Sequence, residues 1–338
     1  MKEKRDDIRR FVLYLAAAVA VGCLFLYWGQ ANAASTLYEL GFLRYKAAEQ
    51  LSSMSEWNLT WEESAAKEIA RKSAVAWAEE NPPVEGTYET STAAGIFGDW
   101  AGLTLDYRHW RQAGGKTVVL LHGFEETPED VLPAAQAWYA RGWNVLIPDQ
   151  RGYQTPAESN GMPVTWGVYE QYDLYDLIRA AGLTEEQLVV QGKGIGAAAA
   201  LLLAADETRA DAGLDGIVAE SVYDDLGSFE RDTLKKLFRL GDNFVGKLLR
   251  LRVRDNLGFV LDSVDLTDAA ARVKIPVVFL CGAQEVLPGE ARTRAVMDAC
   301  GGETKLIVAA EASYRALWLA EGENVLAALE NTAGTRNK

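Results

Sequence analysis

Cysteine and histidine are both scarce: the 338 residues hold three Cys, at 23, 281 and 300, and two His, at 109 and 122. No C-x-x-C pair and no His cluster accompanies them, which argues against a zinc site, a disulfide framework or any structural metal. Imidazole chemistry has only two places in which to occur. Basic residues are a minority as well, 34 Lys plus Arg against 48 Asp plus Glu. The resulting net charge of −14 repels phosphate backbones and argues against nucleic acid as the main partner. No internal repeat is visible. What is present is an ordinary globular composition, with 49% hydrophobic, 10% aromatic and 24% charged residues. That sets aside disordered, collagen-like and low-complexity classes, and the length fits one large α/β unit with additions or two small domains.

The amino end has its own pattern. Residues 1–10 carry Lys2, Lys4, Arg5, Arg9 and Arg10, and an uncharged stretch follows whose dense apolar part is Phe11 to Trp28. That is about one bilayer's worth of helix. The basic flank predicts a cytoplasmic amino end with the body outside, and Tyr27 and Trp28 fall where an interfacial aromatic belt would be. Ala31-Asn32-Ala33 also has the form of a signal-peptidase site, so the body is either anchored through residues 11–30 or secreted after cleavage behind Ala33. The length of the run favours a retained single-pass anchor in the cell membrane.

Residues 34–83 read as a helical membrane-proximal segment, with apolar residues at three and four spacing in Trp61 to Glu80, ended by Asn81-Pro82-Pro83. Residues 84–335 then alternate short apolar runs with amphipathic helices. Strands are expected at Thr87–Thr92, Leu103–Trp110, Lys116–His122, Asn144–Pro148, Leu188–Gln191, Gly216–Ala219, Pro276–Cys281 and Thr304–Ala309. Helices are expected at about Pro128–Arg141, Tyr169–Ala181, Gly196–Ala205, Pro288–Ala299 and Ser313–Glu330. Apolar strands alternating with helices imply an α/β fold with a mostly parallel central sheet covered on both faces.

Four landmarks occur in order: Leu120-Leu121-His122-Gly123-Phe124, Pro148-Asp149-Gln150-Arg151-Gly152-Tyr153, Gly167-Val168-Tyr169-Glu170-Gln171-Tyr172-Asp173, and Gly192-Lys193-Gly194-Ile195-Gly196-Ala197. Together they resemble the α/β-hydrolase family, in particular bacterial members with an N-terminal membrane segment, over roughly Gly86 to Glu330. The resemblance implies a backbone oxyanion hole from Phe124 and Ile195, and a helical lid at about residues 222–272. It also implies a G-x-S-x-G elbow whose serine is exposed on a strand-to-helix turn. Gly194 stands in the serine's place. The family's base, a His after the last strand, falls on Ala310, or on Glu311 if the loop shifts by one. The acid falls on Glu285 or Gln284. A triad needs nucleophile, base and orienting carboxylate acting as a unit. The reading is therefore a catalytically inactive hydrolase homologue with a binding or scaffold role. The alternative is an active hydrolase or acyltransferase, on an ester, thioester or peptide, with a relocated nucleophile at Ser221 or Cys281.

Gly192 to Ala197 also satisfies G-x-G-x-x-A, but a dinucleotide fingerprint belongs on the first strand of its unit, so no cofactor is expected. A small carboxylate, lipid or peptide end in the retained pocket is the expected ligand class. One segment runs against the overall charge: Lys235, Lys236, Arg239, Lys247, Arg250, Arg252 and Arg254 interleave with Leu and Phe in the expected lid. Such a pattern is either a solvated lid face or a membrane-surface contact.

Overall fold

The computed structural model describes residues 2–43, 61–91, 102–124, 126–153, 162–183, 187–240 and 244–333, with side chains described from 19 onward, from 64 in the second segment, and up to 329. Eight strands form one sheet: β1 (Val84–Glu89), β2 (Thr104–Trp110), β3 (Lys116–Leu121), β4 (Asn144–Pro148), β5 (Gln187–Lys193), β6 (Leu214–Glu220), β7 (Val277–Gly282) and β8 (Thr304–Ala309). Their order is β1-β2-β4-β3-β5-β6-β7-β8. The β1–β2 and β2–β4 pairs are antiparallel and the rest parallel. Ten α-helices are described: α1 (Lys2–Phe42), α2 (Trp61–Glu80), α3 (Leu132–Ala140), α4 (Glu170–Ala180), α5 (Ile195–Ala205), α6 (Leu226–Phe238), α7 (Phe244–Leu257), α8 (Leu266–Arg272), α9 (Glu290–Ala299) and α10 (Leu317–Ala333).

The apolar runs are buried because helices cover both faces. In β3 the side chains alternate, Val119 and Leu121 entering one core and Val118 and Leu120 the other. The central strands β4 and β7 are buried throughout, while edge strand β1 keeps only Tyr88 inside. All eight expected strands are present, with boundaries moved by up to three residues. The helix expected at Pro128–Arg141 is a 3-10 turn, Pro128–Val131, followed by α3. Pro133 explains the break, since a residue without an N–H is tolerated in the first turn of a helix but not further in.

Part of the segment expected as helical and membrane-proximal packs against the folded body. Helix α1 runs unbroken through Ala31-Asn32-Ala33, and its last turns join the body, with Ala34, Leu37, Tyr38 and Phe42 buried in the core. The carbonyls left over at a helix end need external donors. Trp166 Nε1 donates to Gly41 O at 3.0 Å and Val164 N to Phe42 O at 2.9 Å. Helix α2 is likewise packed, Trp77 lying 5.7 Å from the Trp110 ring and 5.5 Å from Tyr139. Among the described residues no helix is long and apolar enough to cross a membrane. The expected span begins at Phe11, and residues up to 18 fall outside the described side chains.

Candidate functional site

The site is built at the carboxyl ends of the strands. β5 ends at Lys193 and α5 begins at Ile195, so the chain turns on Gly194 alone, at φ 52° and ψ −105°. That positive φ is strained for residues with a side chain. Gly192 is required for a different reason, close approach: a Cβ there would overlap the Gly196 backbone. The sharp turn is thus retained without a nucleophile. A Cβ on Gly194 would project to within 2.7 Å of the Tyr314 hydroxyl, which also stands against Gly123. The phenol oxygen of Tyr314 therefore fills the space that an elbow side chain would occupy.

Tyr314 comes from the β8–α10 loop, the loop in which the resemblance expects the base. Ala310 and Glu311 are exposed, whereas Tyr314 turns inward. Neither histidine is available in their stead. His109 is buried on β2, and His122 Nδ1 donates to Gly123 O at 3.0 Å with its ring packed edge-on against Tyr153.

Beneath the elbow lies a buried ionic cluster. Lys193 Nζ donates to Glu126 Oε1 at 2.7 Å and lies 4.6 Å from the centre of the Tyr314 ring. Glu126 Oε2 accepts from Gly123 N at 3.1 Å, and Lys67 of α2 stands 3.5 Å from Oε1. Burial alone would raise the Glu126 pKa, but the two ammonium groups and the Gly123 amide outweigh it and hold the carboxyl well below the usual range. Glu220, at the end of β6, has no such direct cation. Burial pushes it up to about 7 despite Lys193 and a 2.6 Å hydrogen bond from Gln191 Nε2.

Ser221 follows Glu220 at φ 48°, fully buried, and its Oγ donates to Glu285 Oε1 at 2.5 Å. Gly282 N donates to the same oxygen at 2.6 Å. Burial raises the Glu285 pKa, while these two bonds pull it back. Cys281 is a different matter. Burial, with Glu285 and Glu290 nearby, pushes its thiol up to about 12, so the thiolate that would attack is not formed.

Gly194, Ser221 and Tyr314 face an apolar cavity of about 200 Å3. Phe124, Gly194, Ile195, Ser221 and Tyr314 lie at its polar end, and Leu37 and Phe42 of α1 with Leu234, Leu237 and Leu249 of the lid helices form walls. Ile195 contributes the first amide of α5, a group with no partner inside its own helix. The cavity thus brings together Phe124, Ile195, Gly194 and Ser221, with Glu285 bonded behind Ser221. Ala310, Glu311 and Cys281 do not line it.

The landmark residues of the two other motifs act as clamps on the cavity wall. Arg151 donates to Asp173 through Nε and Nη2, both at 2.5 Å, and Glu170 accepts from Thr165 N at 2.6 Å and Gly167 N at 2.8 Å. They fix the turn carrying Trp166, which stacks on Phe124 at 4.7 Å. Tyr314, Lys193, Glu126 and Glu220 were not singled out from sequence. The one signal was Tyr314 following Ser313 in the degenerate base loop.

Comparison with known proteins shows the fold. The chain is similar to the structure of Rv0554 from Mycobacterium tuberculosis, at 17% identity and a TM-score of 0.51 over 73% of this chain and 98% of that one. It is also similar to the Pyrococcus furiosus esterase Pf2001, at 15% identity and a TM-score of 0.52 over 73% of this chain and 90% of that one. No family model and no curated protein matches the sequence. The architecture is the α/β-hydrolase fold, a mostly parallel eight-stranded sheet flanked by helices.

Proposed function

We propose that this hydrolase-like chain is a membrane-anchored binding protein whose cavity takes a single short acyl chain, its carboxylate or carbonyl end at the Phe124 and Ile195 amides, without hydrolysing it. The observation that carries the reading is the Tyr314 hydroxyl in the space beside Gly194 where a nucleophile would stand. A bound chain would find apolar walls and a polar floor, and a cavity of about 200 Å3 is below the ~300–1,000 Å3 usual for drug-sized ligands. That size favours one short chain over a diacyl lipid. The anchor is supported by the apolar run Phe11 to Trp28, and by the exposure of Val19, Val21, Leu24, Phe25, Leu26, Tyr27 and Trp28 along α1. A row of exposed apolar side chains is costly in water and at home in a bilayer. With the basic residues preceding it, the same run supports a cytoplasmic amino end and a body outside the cytoplasm.

Titrating octanoate into the full chain held in phosphatidylcholine nanodiscs tests the reading. Saturable one-to-one binding is expected, weakened at least about tenfold by Thr233→Trp, which fills the cavity. Absence of saturable binding, or equal binding by the filled variant, contradicts it.

A second reading has one observation in its favour. Ser221 lines the cavity with its hydroxyl on Glu285, the geometry of a serine paired with a carboxylate base. In an acyl transfer Ser221 Oγ would attack the carbonyl carbon as its proton passes to Glu285, and the carbon–heteroatom bond of the ester, thioester or amide would break with that proton returned to the departing group.

A further inference from the structure

We infer that the outer face of lid helix α7 is a bilayer-contact surface that rests on anionic headgroups beside the point where α1 leaves the folded body. The inference builds on the proposed anchor. Val245, Leu249, Val253 and Leu257 bury one side of α7. On the opposite side Phe244 and Leu251, 45% and 43% exposed, fall within one helical stripe together with Asp255, whose charge is paired with Arg254, and Lys247 and Arg252 lie on its two flanks. An apolar stripe edged by long basic side chains is the pattern of a helix lying in a headgroup layer, the stems covering apolar surface while the charges reach phosphate.

The position of this helix fits the pattern. Helix α1 packs along α7, and the Tyr27 ring lies 6.1 Å from that of Phe244. Tyr27 and Trp28 end the apolar run of α1, so if that run spans the bilayer, Phe244 stands at interfacial depth beside them. Charge complementarity selects the occupant: on a chain of net charge −14, the segment Arg231 to Arg254 carries eight basic residues against two acidic ones. Not all seven basics expected at a membrane surface are available. Lys236 donates to Val286 O at 3.0 Å, Arg250 to Glu230 at 2.9 Å and Arg254 to Asp255 at 2.7 Å. Lys247 and Arg252, with Lys235 and Arg239 at the end of α6 leading into α7, are exposed and form the headgroup-facing set.

The full chain, with Cys23→Ser and Cys300→Ser, carries an NBD fluorophore on Leu251→Cys and is reconstituted into two kinds of vesicle, phosphatidylcholine alone and equal parts phosphatidylcholine and phosphatidylglycerol. The expected result is a blue-shifted emission, quenched by lipid-borne nitroxide, in the anionic vesicles. Each Lys→Gln or Arg→Gln change at 235, 239, 247 and 252 is expected to lower that contact about fivefold. Failure of the protein to float with either vesicle overturns the anchor and this inference together. Flotation with the probe still in water, or insertion unaffected by the Gln substitutions, overturns the docking surface alone.

Discussion

Replacing Arg151 by Met is expected to cost about 3–5 kcal/mol of folding stability, because it leaves the Asp173 carboxylate buried without its cation. Arg151 is fully buried, its guanidinium is bidentate on Asp173, and its Cζ lies 5.5 Å from the centre of the Tyr169 ring. Burial raises the Asp173 pKa and Arg151 opposes it, so removing the cation leaves burial to act alone. The loss is a large part of the ~5–15 kcal/mol by which domains are usually stable. Replacing both partners, Arg151→Met with Asp173→Leu, is expected to recover most of it, since the penalty belongs to the orphaned charge and not to the missing pair. Urea unfolding of the single and double variants measures the difference. A single variant within about 1 kcal/mol of the parent contradicts the account.

The second large effect is one of pH. Burial pushes the Glu220 pKa in the folded state up to about 7 from the 4.5 of a free glutamate, so between those values the folded state holds a proton that the unfolded state has released. Stability therefore falls as pH rises from about 4.5 to about 7, and the contribution is constant outside that window. Glu220→Gln keeps an oxygen for Gln191 Nε2 and removes the titration. Relative to the parent it is expected to gain stability progressively across the window, by roughly 3 kcal/mol at the alkaline end. Unfolding midpoints of both proteins at a series of pH values decide the matter, and parallel curves contradict the assignment.

Strands were legible wherever an apolar run had one explanation. Lys116–Leu121 and Asn144–Pro148 read as buried strands because β3 and β4 carry few polar residues and lie between two helical layers. The motif residues were legible in identity but not in role. Arg151, Glu170 and Asp173 stood out by spacing, yet only the packing shows that they brace the Trp166 turn through bonds across 22 residues and within five. The packed end of α1 was hidden for a physical reason: Ala34, Leu37, Tyr38 and Phe42 recur among Ser35, Thr36 and Glu39 as on any amphipathic helix, and that pattern alone does not distinguish a wall of the cavity from a spacer beside a membrane. Tyr314 was hidden more deeply. A tyrosine four residues beyond Ala310 carries no pattern, and its hydroxyl reaches Gly194 only because the β8–α10 loop folds back over the ends of β3 and β5.

The proposed absence of triad chemistry is tested most directly by the reaction of the full chain, in detergent, with p-nitrophenyl butyrate at protein concentrations comparable to the ester. The account predicts neither a burst of nitrophenolate nor turnover, since no nucleophile stands at Gly194 and no imidazole faces the cavity. A burst stoichiometric with protein and abolished by Ser221→Ala would contradict it and assign the chemistry to the Ser221–Glu285 pair.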